Sequence, residues 1–329
     1  MAEPDHAPTR IHLTFDLPPK AAADLAASGH PTTSTADVDG SKEDRRQALV
    51  AAAPGASAII ATVSDLVDAE VMDAAGPGLR VIANYGVGYD NIDVAAAHDR
   101  GIVVTNTPGV LDEATADLAF ALLLAGARRV VEADRFVRSG AEWSWEPDFF
   151  VGLDVSAGAT LGIVGLGRIG FAVARRAAAF GMRIVATGSR ASSSEAAALG
   201  VTPVELPELL ATSDVVTLHC PLTPETHHLI GAPQFAAMKS SALLVNTSRG
   251  AVVDEDALLE ALLEGTIGGA ALDVYEHEPR VTAGLLALPN VITAPHIGSA
   301  GIATRERMGA VAVENALAVL GGATAPNPV

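Results

Sequence analysis

Residues 158–190, GATLGIVGLGRIGFAVARRAAAFGMRIVATGSR, carry the pattern that decides the fold. The segment reads as a strand over Leu161–Val164, a glycine turn, a helix over Phe171–Phe180 and a second strand over Arg183–Thr187. Gly165-Leu-Gly167-Arg-Ile-Gly170 sits at the strand-to-helix turn. There glycines let a pyrophosphate approach the backbone and rest on a helix N-terminus. A bare glycine triplet is also what any tight strand–helix turn uses, so the flanking strand and helix carry the inference. One part of the pattern is missing. About 20 residues on, a dinucleotide fingerprint sets an acid for the ribose hydroxyls, but here the second strand ends in Thr187-Gly188-Ser189-Arg190, with no carboxylate before Glu195. The fingerprint also starts near the middle of the chain.

Working outward, short apolar runs alternate with Ala-rich helical stretches. Strands are expected at Ile11–Phe15, Ala58–Thr62, Arg80–Ala83 and Ile102–Thr105, then at Val215–His219, Leu243–Asn246, Gly269–Val274 and Val291–Thr293. Helices are expected near Lys20–Ser28, Lys42–Ala53, Asp68–Ala75 and Val94–Asp99. This alternation predicts an α/β protein of two doubly wound parallel sheets covered by helices. Pro31–Ser41 reads as an exposed loop, and no strand is placed in it. The stretch Glu113–Arg129 is apolar on nearly all sides, which suits a hinge helix wedged between domains or subunits. The helix over Thr304–Leu320 has no strand after it and is expected to return to the first domain.

A length of 329 residues suggests about two domains. With 49% hydrophobic and 18% charged residues, the chain can bury a large core and is not extensively disordered. Acidic residues outnumber basic ones 39 to 21 without a basic cluster, which argues against nucleic-acid or anionic-membrane partners. The single cysteine, Cys220, excludes an internal disulfide and multi-cysteine metal sites, and fits a reducing cytoplasm. Residues 1–10 lack the basic and apolar regions of a signal peptide and read as a loose tail. The apolar run Leu118–Ala127 is too short to span a bilayer, so a cytoplasmic protein is expected.

In open parallel sheets, ligands collect beyond the carboxyl ends of the strands. Three successive strand ends supply Arg249, Glu278 and His296. Each residue alone has a bland role: a solvated turn arginine, an acid before proline, a structural histidine. Together on a dinucleotide-binding sheet they describe carbonyl reduction. An arginine fork holds an anionic oxygen pair, while histidine supplies the proton needed as hydride arrives, beside a carboxylate that favours a protonated ring.

The motifs NYGVGYDNID (84–93), VTNTPGV (104–110), GIVGLGRIG (162–170), VNTSRGAVVD (245–254) and PHIGS (295–299) resemble the D-isomer-specific 2-hydroxyacid dehydrogenases. The Thr187–Arg190 strand end and the segment Trp143–Pro147 resemble glyoxylate/hydroxypyruvate reductases in particular. The resemblance runs from about Ile11 to Leu320. It implies a Rossmann nucleotide-binding domain, residues 107–297, inserted into a flavodoxin-like substrate-binding domain of residues 1–106 and 298–329, with the active site in the cleft between them.

Carried over residue by residue, the resemblance implies that Arg249, Glu278 and His296 are catalytic. Val87, Gly88, Arg249, His296 and Trp143 would bind substrate, the loop amides at 87 and 88 taking its carboxylate. Gly165, Leu166, Gly167, Arg168 and Ile169 would lie along the pyrophosphate. Further cofactor contacts would come from Thr115, His219, Cys220, Pro221, Thr226, Thr247, Ser248, Asp273 and Gly298. Ala300-Gly301 departs from the more usual Ala-Thr, which leaves contacts near it open. Ser189 and Arg190 suit the 2′-phosphate of NADPH, so NADPH is the expected cofactor, with NADH also usable, at a preference of roughly ten- to hundredfold.

No metal is expected, because the adjacent His227 and His228 would not share a helix face. Trp143 and Trp145 suit either local packing or a homodimer arm that caps a neighbouring pocket. The expected activity is reduction of small 2-oxo acids, glyoxylate or hydroxypyruvate first, to D-2-hydroxy acids. The alternatives are the same chemistry on another acid, such as 3-phosphoglycerate, or a non-catalytic dinucleotide sensor like the C-terminal binding protein corepressors, which resemble the same family.

Overall fold

The computed structural model describes residues 9–329. Most of the expected tail therefore lies outside the described residues. The chain divides into two compact units, one ending at Leu111 and completed by Ala300–Val329, the other spanning Asp112–Ser299.

The first unit holds strands β1 (Arg10–Leu13), β2 (Thr32–Ser34), β3 (Ala56–Thr62), β4 (Val81–Tyr85) and β5 (Val103–Thr105). They pair in the order β2-β1-β3-β4-β5, every ladder parallel. That is the flavodoxin-like order. All five residues of β4 are buried, as expected for a central strand covered on both faces. The helix Ile302–Leu320 packs on β3 and β4 and buries Met308, Ala312, Val313 and Ala316. Gly309 lets it approach the helix Pro19–Ala27, since a Cβ there would meet that of Ala21 at 2.7 Å.

The second unit holds β6 (Thr160–Val164), β7 (Arg183–Thr187), β8 (Val201–Pro203), β9 (Val215–Leu218), β10 (Leu243–Asn246), β11 (Gly269–Leu272) and β12 (Val291–Thr293). Their order is β12-β11-β10-β9-β6-β7-β8, again entirely parallel. The direction of winding reverses at β6, which has β7 on one side and β9 on the other; this is the Rossmann switch point. Alternate side chains of β6 serve separate cores. Leu161 and Ile163 pack with Phe171 and Val173, whereas Val164 packs with Leu209, Val216 and Leu218.

Two strands were not legible in the sequence. β2 lies inside the stretch expected to be a loop, and β8 was not expected. Both are three-residue edge strands with one face in solvent, so neither carries an apolar run. The apolar helix Asp112–Ala127 is buried within the second unit, packed on the helix Arg168–Ala179 and on β10 and β11. Arg176 ties the two helices by donating to Asp117 and Glu113. No described helix is long and apolar enough to cross a membrane.

Candidate active site

Arg249, Glu278 and His296 follow β10, β11 and β12 respectively, at the carboxyl edge of the second unit's sheet. Each is held by its own turn. Asn246, 1% exposed at the end of β10, donates from Nδ2 to the Arg249 carbonyl at 2.9 Å. Its Oδ1 accepts from the Ser248 amide and hydroxyl at 3.0 and 2.8 Å. Gly250 then lets this turn lie flat on the next one, because a Cβ would meet the Tyr275 carbonyl carbon at 1.8 Å. The loop carrying the arginine is therefore pressed against the loop carrying Glu278.

Glu278 bridges two groups. Its Oε1 accepts the Tyr275 amide at 3.0 Å and its Oε2 lies 2.9 Å from His296 Nδ1. The peptide bond to Pro279 is cis. His296 has φ 54°, the left-handed region that a non-glycine residue enters at a cost. Asp273, 1% exposed, offsets that cost. Its carbonyl accepts the His296 amide at 2.8 Å, and its carboxylate accepts the amides of Ile297 and Gly298 at 2.7 and 2.8 Å. Burial pushes the Asp273 carboxyl above its ordinary range, and the two amides pull the other way. The Tyr275 hydroxyl donates to the carbonyls of Ala294 and Leu272, locking the segment before the histidine, and burial pushes its pKa up to about 12.

At the switch point the glycines are placed as a dinucleotide cradle requires. Gly165 has φ 96°, and a Cβ on it would lie 2.6 Å from the Cys220 nitrogen. The turn after β6 thus touches the end of β9 directly. Gly167 caps the helix Arg168–Ala179 without a side-chain hydrogen bond, and a Cβ at that position would have nothing within 4 Å. Among the described residues, the amides of Gly167, Arg168 and Ile169 have no backbone acceptor, so the start of that 12-residue helix can receive an anion. Two of the expected contacts carry buried polar atoms without a partner, His219 Nδ1 and Thr247 Oγ1. Both the open amides and these orphaned atoms fit a bound dinucleotide.

The remaining expected cofactor residues divide by what they touch. Burial lowers the His219 pKa to about 3 and raises that of Cys220 to about 11, so both are neutral. Thr226 staples the loop after β9 by donating to the Pro221 carbonyl at 2.6 Å. Thr115 is 5% exposed and lies against Gly298. Gly188 has φ 121°, with a Cβ position 3.2 Å from the Leu166 nitrogen. An aspartate there would be strained, which accounts physically for the missing acid. Ser189 is exposed, and Arg190 lies 4.3 Å over the Phe171 ring with Nη2 2.7 Å from Glu195 Oε2.

In the first unit, the loop after β4 turns its carbonyls inward. Gly86 and Gly88 accept from Asn84 Nδ2 at 3.2 and 2.8 Å, and Val87 accepts from Asn106 Nδ2 at 2.9 Å. Among the described residues, the amides of Val87 and Gly88 have no backbone acceptor.

Residues 120–298 match the family model for the NAD-binding domain of D-isomer-specific 2-hydroxyacid dehydrogenases. The chain is 56% identical over 275 residues to a glyoxylate reductase of Korarchaeum cryptofilum, covering 83% of this chain and 82% of that protein. The chain belongs to this dehydrogenase family. Among solved structures, a Thermus thermophilus protein superposes with a TM-score of 0.88 at 50% identity, covering 98% of this chain and all of that one (100%). An NADPH-dependent glyoxylate/hydroxypyruvate reductase from Sinorhizobium meliloti, in complex with NADP and malonate, gives 0.82 at 35% identity, with 98% and 97% covered.

The fold and the family thus agree with the resemblance read from the five motifs. For a dehydrogenase of this family, the structure adds residues that the sequence did not single out: Asn246, Tyr275 and the paired acid Glu195. Asn246 stands at a strand end beside Arg249, and that position is the signal that could have found it. Tyr275 and Glu195 act through contacts that no local pattern encodes. Asp273 has a second role beyond the cofactor contact expected of it, because both its carboxylate oxygens serve the His296 turn. The expectation that His227 and His228 cannot cooperate assumed helical geometry; both lie in a turn, their rings 4.1 Å apart, with Glu276 beside them.

Proposed function

We propose that this dehydrogenase reduces small 2-oxo acids, glyoxylate and hydroxypyruvate foremost, to D-2-hydroxy acids, with NADPH preferred over NADH. The observation that carries the proposal is the His296–Glu278 contact at 2.9 Å, on the turn next to the one that holds Arg249. The glyoxylate reductase relatives support the choice of substrate.

A nicotinamide dinucleotide supplies the hydride when bound. The turn Leu166–Ile169 would hold its pyrophosphate, through the amides of Gly167, Arg168 and Ile169, and Ser189 and Arg190 would hold its adenosine end, at the switch point. Arg249 presents its planar fork to the oxygens of the acid. With Nδ1 engaged by Glu278, His296 delivers the proton from Nε2 to the carbonyl oxygen and takes it back in the oxidative direction. Asp273 and Tyr275 act as positioning residues that hold the left-handed turn at His296. The first unit serves as the substrate domain, and the amides of Val87 and Gly88 are its candidate carboxylate donors.

A homodimer and a cytoplasmic setting belong to the same proposal. Large apolar side chains are exposed in one segment: Val130 53%, Val137 61%, Trp143 60%, Trp145 76% and Val151 60%. The helix Val130–Arg138 buries none of its residues. Such a run is costly in water and suits an arm covered by a second copy.

The experiment is NADPH oxidation against a panel of 2-oxo acids, with His296→Gln beside the wild type. Expected are turnover on glyoxylate and hydroxypyruvate and a loss of roughly 10²–10⁴-fold in kcat for the variant, with NADPH binding kept by fluorescence titration. Tight NADPH binding with turnover on none of the acids would favour a dinucleotide sensor instead.

A further inference from the structure

Outside the Arg249, Glu278 and His296 set, one cluster combines side chains of a different chemistry. His227, His228 and Glu276 come together from the loop after β9 and the loop after β11, their potential ligand atoms all within 4.8 Å of one another. His228 Nε2 lies 2.8 Å from Glu276 Oε1, and the two imidazole rings stack at 4.1 Å with 30° between planes. Another carboxylate, Asp254, faces the other nitrogen of that ring, its Oδ2 4.0 Å from His228 Nδ1. We propose that His227, His228 and Glu276 form a binding site for a divalent transition-metal cation of the zinc class.

The donor set selects the class of ion. Magnesium and calcium take oxygen ligands, whereas two imidazoles with one carboxylate suit zinc, cobalt, nickel or copper. Two histidines and a glutamate leave a fourth position for water. At bond lengths of about 2.0–2.1 Å, donors around a tetrahedral ion are separated by roughly 3.4 Å. Closing from 4.8 Å requires a side-chain rotation at His227, which is exposed and free of core packing. The opposite wall is already fixed. His228 has φ 51°, held by its amide donating to the Ala251 carbonyl at 2.8 Å. Glu276 is 18% exposed, and its amide donates to Glu255 Oε1 at 3.3 Å.

The background charge also favours cations. A net charge of −18 concentrates them near the surface. A cation here would join the His227–His228 turn to the Glu276 loop. The same two loops contact the Arg249 turn, through the Ala251 carbonyl and through Gly250. Occupancy therefore stiffens the support of the arginine without the ion taking part in the reaction.

Tag-free, metal-stripped protein titrated with Co²⁺ tests the proposal by visible absorption, with Zn²⁺ calorimetry and thermal melting alongside. Expected are one equivalent bound per chain, a rise in Tm on adding Zn²⁺, and affinity at least about tenfold weaker in His227→Ala and in Glu276→Gln. His227→Ala removes an exposed side chain and should leave the fold intact, as circular dichroism and NADPH binding would report. Absence of a cobalt spectrum at millimolar metal, or equal binding in the wild type and both variants, would overturn the proposal and leave His228–Glu276 as an ordinary hydrogen bond. A thiolate charge-transfer band would do so too, because it would assign the metal to Cys220.

Discussion

Replacing Glu195 with Gln is expected to strengthen NADPH binding, although Glu195 touches no part of the site by motif. The carboxylate is bonded to Arg190 Nη2 at 2.7 Å, and the side chains are 57% and 45% exposed. A pair that exposed contributes about 0.2–1 kcal/mol. A 2′-phosphate at Arg190 would compete for the guanidinium with that carboxylate. Removing it should therefore tighten NADPH by about 1.4- to 5-fold and leave NADH unchanged. The guanidinium stays in place without Glu195, because it remains 4.3 Å over the Phe171 ring. Arg190→Ala tests the other limb. It forfeits a charge-assisted contact of about 1.5–3 kcal/mol, so kcat/KM with NADPH should fall roughly 10- to 150-fold while that with NADH barely moves. Fluorescence titration and steady-state kinetics with both coenzymes read out the pair. Equal losses for NADPH and NADH in Arg190→Ala, or weaker NADPH binding in Glu195→Gln, would refute the assignment of Arg190 to the phosphate.

Three further outcomes are expected. Gly165→Ala should destabilise the fold by about 1–3 kcal/mol or more, since φ 96° and the Cys220 nitrogen at 2.6 Å leave a methyl group no relief; urea denaturation should show this together with lost coenzyme binding, and an unchanged midpoint would contradict the switch-point packing. Burial lowers the pKa of His12 from 6.5 to about 4 and that of His219 from 6.5 to about 3, so both are neutral in the fold and take up protons on unfolding. The stability they contribute is complete above the unfolded value and is lost as pH falls from about 6.5 through the folded values, amounting to about 3 kcal/mol for His12 by pH 4. Denaturant curves from pH 7 to 4.5 should be flatter in His12→Gln than in the wild type; parallel curves would place the acid sensitivity elsewhere. Alanine at Trp143 or Trp145 should shift the preference for glyoxylate over longer acids by about 1–3 kcal/mol and weaken self-association in sedimentation; unaltered selectivity and mass would make the tryptophans packing residues only.

Much of this protein was determined by its sequence alone, because the decisive features are local and periodic. The strand–glycine–helix run at 160–179 needs only nearest-neighbour chemistry to be recognised, and the buried strands β4, β6, β9 and β10 are short, mostly apolar runs bounded by turns. The positions of Arg249, Glu278 and His296 after successive strands followed from the same pattern, since a parallel sheet sends its strand ends to one edge. Tertiary structure alone decided what depends on the partner of a side chain. β2 and β8 exist because an edge backbone finds a ladder, not because their three residues form an apolar run. Asp273 serves the His296 turn because β11 ends directly beneath residues 296–298. Arg190 meets Glu195 five residues on and Phe171 nineteen back, and His228 meets Glu276 across 48 positions. Composition and spacing carry no record of such meetings, because packing distance between loops is set by the whole sheet and not by the residues that happen to touch.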